Sequence, residues 1–128
     1  MTKRRILVLD DSADYTRLMK ISLEATAGFE VRIELDPLHA MDAVRSFRPE
    51  VILLDYIMPG MNGDDFAAQL KQDPDLGDVP IVLLTGSSEL CSAARETVFV
   101  DSPCLIKPVA VDDIIDAEVQ NLSGGELQ

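Results

Sequence analysis

Apolar residues fall along this chain in two alternating rhythms. Ile6-Leu7-Val8-Leu9, Val51-Ile52-Leu53-Leu54, Ile81-Val82-Leu83-Leu84 and the shorter Cys104-Leu105-Ile106 are continuous runs bounded by charged or turn-forming residues. Such runs are too short for helices and fit strands buried on both faces. Val31, Ile33 and Leu35 instead alternate with Arg32 and Glu34, which predicts a strand exposed on one side. Between the runs the spacing turns helical. Tyr15, Leu18, Met19, Leu23 and Ala25 recur behind a cap supplied by Asp11, Ser12 or Asp14, and Gly28 stops a helix expected to reach about Ala27. Asp36-Pro37 is a cap followed by a first-turn proline, so a second helix is expected over 38–47. Pro59-Gly60-Met61-Asn62-Gly63 signals a loop before a helix at 64–72, and further helices are expected at 89–96 and 111–122.

Five strands alternating with five helices imply an α/β domain whose parallel sheet is covered on both faces. The doubly wound, flavodoxin-like order 2-1-3-4-5 is the expected arrangement. A length of 128 residues suits one such domain, expected over 1–122, with 123–128 a flexible tail that includes Gly124 and Gly125.

Apolar residues make up 47% and charged residues 27%, with a mean hydropathy of +0.11, a folded rather than disordered profile. Eleven Lys and Arg against 23 Asp and Glu leave a formal net charge of -12, which repels nucleic-acid backbones and anionic lipid surfaces. Neither nucleic acid nor membrane insertion is expected. Lys3-Arg4-Arg5 precedes an apolar run too short for a secretory signal, so a cytoplasmic location is the expectation. Cys91 and Cys104 lack metal-binding spacing and His39 is the only histidine, so any bound metal must be held by oxygen. The two cysteines are expected to be ordinary small apolar residues, Cys104 being the one placed for oxidation, and His39 is expected at the surface.

The strand ends carry the chemistry. Asp10 and Asp11 follow the first run, Asp55 the third strand, Thr85 and Gly86 the fourth, Lys107 and Pro108 the fifth. In a parallel sheet these carboxyl ends share one rim, where ligands bind. Two unit charges at ~4 to 5 Å repel by roughly 3 to 4 kcal/mol at an effective dielectric of about 20, and Lys107 cannot neutralise three carboxylates. A hard divalent cation resolves this, so Mg²⁺ is expected, with Asp11 and Asp55 as direct ligands. Asp55 can also act as a nucleophile that forms an aspartyl phosphate, with Thr85 and Lys107 binding phosphoryl oxygens and Gly86 leaving the approach open. Taken singly, each of these residues is better explained as a cap, a turn former or a solvated charge. Their joint placement at four strand ends is not.

Asp10-Asp11, Asp55 with Met58-Pro59-Gly60-Met61-Asn62-Gly63, Thr85-Gly86 and Lys107-Pro108 together resemble the receiver domains of two-component response regulators. The resemblance covers almost the whole chain. It implies that Asp55 accepts a phosphoryl group from a histidine kinase or histidine phosphotransfer protein. Asp10 and Asp11 would flank the metal, the Ile57 carbonyl would be a further ligand, and Thr85 and Lys107 would be the switch pair. As the chain stops after the fifth helix, it looks like a single-domain regulator whose output is binding to a downstream protein, with no enzymatic activity beyond its own phosphorylation and dephosphorylation.

Four positions set this chain apart from the usual family pattern. Cys104 stands where receivers usually carry an aromatic residue, Val100 where glycine is common, and Ile57 and Ser87 occupy variable positions that influence phosphoryl lifetime. Shielding by Ile57 predicts slow dephosphorylation. Three other functions compete. A phosphorylation-independent adaptor would bind its partner in either state, and a Mg²⁺-dependent phosphohydrolase would normally present Asp-x-Asp after the first strand. A flavin or dinucleotide carrier would need a phosphate loop where Asp10 and Asp11 stand.

Overall fold

A computed structural model describes residues 3–26, 28–58, 60–97, 99 and 101–123. Ala27, Pro59, Val100 and the tail beyond Ser123, each of which figures in an expectation above, lie outside the described residues. Among the described residues the sheet strands are β1 (Arg4–Leu9), β2 (Phe29–Glu34), β3 (Val51–Asp55), β4 (Ile81–Thr85) and β5 (Cys104–Ile106). The helices are α1 (Ala13–Ala25), α2 (Ala40–Phe47), α3 (Gly63–Gln72), α4 (Ser88–Ala94) and α5 (Val111–Ser123). The five strands form one parallel sheet in the order 2-1-3-4-5, as the alternation predicted. A short antiparallel hairpin pairs Ile57 with Asn62 and Met58 with Met61 between β3 and α3.

The continuous apolar runs are explained by burial on two sides. Successive residues of a strand point to opposite faces. Leu7, Leu9, Ile52, Leu54 and Leu83 pack on one face with Val44, Phe66, Leu70 and Phe99. Ile6, Val8, Leu53, Val82 and Leu84 pack on the other with Met19, Leu23, Ile114 and Ala117. Helices α2 and α3 therefore cover one face, α1 and α5 the other.

The expected boundaries move slightly. Strand β2 runs from Phe29 rather than Val31 and ends before Leu35, which is exposed. The second helix begins as a 3-10 turn at Pro37–His39, with Asp36 accepting a hydrogen bond from the Leu38 amide at 2.9 Å. It ends at Arg48, whose left-handed φ of 54° lets the chain leave the helix, and the Arg5 Nε donates to the Arg48 carbonyl at 2.8 Å. Leu18, counted above on the apolar stripe of the first helix, is 65% exposed, whereas Met19 and Leu23 are buried. His39 is exposed, as expected.

Of the three candidate caps, Ser12 is the one used: it accepts from the Tyr15 amide at 3.3 Å. Ser12→Ala should cost about 1 kcal/mol, read as a lower midpoint in urea with an unchanged slope. An unaltered midpoint would show that α1 does not need the cap.

Candidate functional site

The strand register brings the predicted residues together. Leu9 pairs with Leu54, Asp55 with Leu84 and Thr85 with Ile106, so Asp10, Asp55, Thr85 and Lys107 all emerge on one rim of the sheet. One carboxylate oxygen from each of Asp10, Asp11 and Asp55 lies within 4.8 Å of the other two. Asp10 is fully buried, Asp55 is nearly so and Asp11 is exposed. The Lys107 Nζ donates to Asp10 Oδ2 at 2.6 Å and sits 3.4 Å from Asp55 Oδ2. It also lies 4.9 Å from the centre of the Tyr15 ring, a cation–π contact between residues far apart along the chain that residue pattern alone does not signal.

The loops hold these side chains through the backbone. Asp10 Oδ1 accepts from the Ser12 amide at 3.0 Å, which fixes the turn between β1 and α1. The Ile57 amide points to Asp55 Oδ1 at 3.4 Å, and the Ile57 side chain is exposed beside it. The Lys107 amide donates to the Thr85 carbonyl at 2.7 Å. The Thr85 hydroxyl, however, donates to the Ser87 carbonyl at 3.0 Å. Gly86 is exposed, and a Cβ built there would meet nothing within 4 Å, so the space over the rim is open.

Charge is the dominant feature. Burial, and then the neighbouring Asp10 charge, raise the Asp55 carboxyl from 3.8 to about 6, while Lys107 and the Ile57 amide offset this only in part. Burial opposes the charge on Lys107, but its hydrogen bond to Asp10 and the charges of Asp10 and Asp55 outweigh that and hold its pKa above the ordinary lysine value. Three carboxylates facing one ammonium leave an excess of negative charge, and all the donors are hard oxygens. That donor set fits a divalent cation such as Mg²⁺.

One expectation is overturned. Cys91 and Cys104 are not separate thiols but a disulfide, with their Cα atoms 5.8 Å apart. The pairing arises because α4 folds back over the start of β5, which brings Cys91 against the residue three positions before Lys107. Both sulfurs line the Thr85 hydroxyl, at 3.4 Å for Cys91 and 3.9 Å for Cys104.

Comparison with known proteins agrees with this geometry. Residues 6–118 match the family described as the response regulator receiver domain. The DNA-binding response regulator MtrA of Mycobacterium tuberculosis (strain ATCC 25618 / H37Rv) is 40% identical over 87 residues, 68% of this chain and 36% of the relative. The phosphate regulon transcriptional regulatory protein PhoB of Pseudomonas aeruginosa is 34% identical over 89 residues, 70% of this chain and 38% of the relative. The matched region thus spans little more than a third of these curated relatives. Among solved structures, the bacteriophytochrome response regulator AtBRR superposes with a TM-score of 0.81 at 26% identity, covering 96% of this chain and 94% of that one. The Mn(2+)-bound form of response regulator Rcp1 gives a TM-score of 0.66 at 29% identity, covering 98% and 95%. The chain belongs to the response regulator receiver domain family, whose members generally act in signalling and bind Mg²⁺ at an acidic cluster of this kind. No helix among the described residues is long and apolar enough to cross a membrane.

Proposed function

We propose that this chain, as a receiver domain over residues 1–122, accepts a phosphoryl group on Asp55 from a phosphohistidine on a histidine kinase or phosphotransfer protein. The observation that carries the reading is the convergence of Asp10, Asp11 and Asp55 within 4.8 Å, with Lys107 bridging two of them. An Asp55 carboxylate oxygen attacks phosphorus in line, the N–P bond of the donor breaks, and the imidazole leaves with its electron pair and takes up a proton. Asp10, Asp11, Asp55 and the Ile57 carbonyl are the groups that would hold Mg²⁺. When bound, the ion supplies neutralisation of the charge that builds on the phosphoryl oxygens.

The chain's own groups do the rest. Lys107 keeps its proton and contacts one phosphoryl oxygen. Thr85 turns its hydroxyl from the Ser87 carbonyl toward another, drawing the β4–α4 loop with it. Gly86 leaves the approach clear. Ile57, 58% exposed beside Asp55, covers the acyl phosphate against water and lengthens its life. The only reactions catalysed are the domain's own phosphorylation and dephosphorylation.

A protein donor is supported by an apolar surface near the rim. Leu18 borders a groove lined by Tyr15, Met19, Pro108 and Val109, and Ile21 on the same helix is 60% exposed. Output is read as binding to a downstream protein through the face that the Thr85 loop moves. The net charge of -12 argues that this domain does not itself contact nucleic acid, and the cytoplasm is the compartment where a kinase partner would be met.

Intact-mass spectrometry after treatment with acetyl phosphate and Mg²⁺ tests the reading. Wild type should gain one base-labile phosphoryl group, and Asp55→Asn, checked for native circular dichroism, should gain none. Equal labelling of both, or of neither, would remove Asp55 from this role.

A further inference from the structure

We infer that Cys91 and Cys104 are a reversible redox site that governs α4 and the Thr85 hydroxyl: the disulfide ties α4 to the sheet, and the dithiol frees it. Little else anchors this helix. α4 has seven residues, of which Cys91 and Ala94 are buried, whereas α3 buries four of its ten. A helix with so few buried contacts opens at low free energy unless something else ties it down. The disulfide is that tie. It joins the middle of α4 to Cys104, the first residue of the edge strand β5, and closes a loop with a sequence separation of 13.

The same bond encloses the Thr85 hydroxyl. Thr85 Oγ1 lies 3.4 Å from Cys91 Sγ and 3.9 Å from Cys104 Sγ while donating to the Ser87 carbonyl. If that hydroxyl rotates toward Asp55, it leaves a space against the sulfurs. With the bond intact, α4 is held at a fixed separation from β5 and cannot move in to fill it. With two thiols, α4 can follow.

The exchange chemistry is balanced and has an entry point. Cys91 is buried, while Cys104 is partly exposed at the sheet edge. A small-molecule thiolate attacks Cys104 Sγ, the S–S bond breaks, and Cys91 leaves as a thiolate that takes up a proton. A second small thiol then attacks the mixed disulfide at its own sulfur, releasing Cys104 as a thiol and a small-molecule disulfide. Two electrons and two protons pass to the protein. Reoxidation by that small-molecule disulfide runs the same steps backward. In a reducing compartment a disulfide forms transiently and reports redox state, so the regulatory meaning rests on the cytoplasmic, phosphoryl-accepting reading above. The effect on α4 does not.

The test uses the full chain in two states, treated with oxidised glutathione or with dithiothreitol, and follows amide hydrogen exchange with and without acetyl phosphate and Mg²⁺. Without phosphorylation, reduction should speed exchange of α4 amides roughly tenfold or more and leave β1 and β3 unchanged. Cys91→Ala/Cys104→Ala should match the reduced protein under both reagents. With phosphorylation, protection across α4 should change in the reduced form and stay constant in the oxidised one. Two free thiols after oxidation, or equal α4 exchange in both states, would overturn the inference. Absence of phosphorylation in both states would instead count against Asp55 as acceptor, and the exchange of the unmodified protein would still decide the redox site.

Discussion

Lys107→Met should lower the thermal midpoint of the metal-free protein by about 12–20 °C. The size follows from which carboxylate loses its partner. Exposed ion pairs contribute at most about 1 kcal/mol, but Asp10 is fully buried and its Oδ2 is 2.6 Å from the ammonium. Removing one member of a buried pair strands the other charge away from water, at a cost of about 3–5 kcal/mol. For a domain of this size, that converts to the midpoint shift given. Methionine keeps most of the lysine stem, so lost packing adds little. Millimolar Mg²⁺ should recover most of the loss, because a cation at Asp10, Asp11 and Asp55 supplies the missing charge. A drop of only a few degrees, or no larger Mg²⁺ response than in wild type, would show that Lys107 is not the counter-ion of Asp10.

The rim on which this prediction rests was legible in the sequence for a simple reason. Val51–Leu54 and Ile81–Leu84 have no polar face, so they fit only in the middle of a sheet covered on both sides, and the parallel direction then puts Asp55 and Thr85 at the same end. Other features depend on packing between elements, which periodicity does not encode. Leu18 fits a helical stripe as well as Met19 does, but only Met19 is buried in the cluster with Phe29, Val31 and Ile114. Cys91 and Cys104 each read as small apolar residues in their own segment. Their bond depends on where α4 lies across β5, and nothing within either segment fixes that. The Thr85 hydroxyl donates to the Ser87 carbonyl and lies against Cys91 Sγ, a geometry set by the loop after β4 and by α4 rather than by residue type.

Asp55→Asn should be more stable than wild type by about 2–3 kcal/mol at pH 7.5 without metal, and the difference should shrink to about 0.5 kcal/mol by pH 4. The sign follows from linkage. Burial and then the Asp10 charge raise the Asp55 carboxyl from 3.8 to about 6 in the folded state, so the folded protein binds this proton more tightly than the unfolded chain. Above pH 6 the folded state carries an ionised group that its surroundings disfavour. A shift of about two pK units is worth about 3 kcal/mol, and with the side chain only 12% exposed, solvent removes little of it. As pH falls from about 6 to about 4, the folded state takes up the proton and the penalty is relieved. Below the unfolded value both states are protonated and the site no longer contributes. Asparagine keeps the shape and an acceptor for the Ile57 amide but is neutral throughout, so it does not carry the penalty at any pH. Other titrating groups are common to both proteins and cancel in the difference, which urea melts from pH 4 to 8 would measure directly. Mg²⁺ should narrow the gap at pH 7.5 by stabilising the ionised wild type. A variant no more stable than wild type at neutral pH, or a gap that widens on acidification, would mean that Asp55 is not held in a charge-disfavouring site.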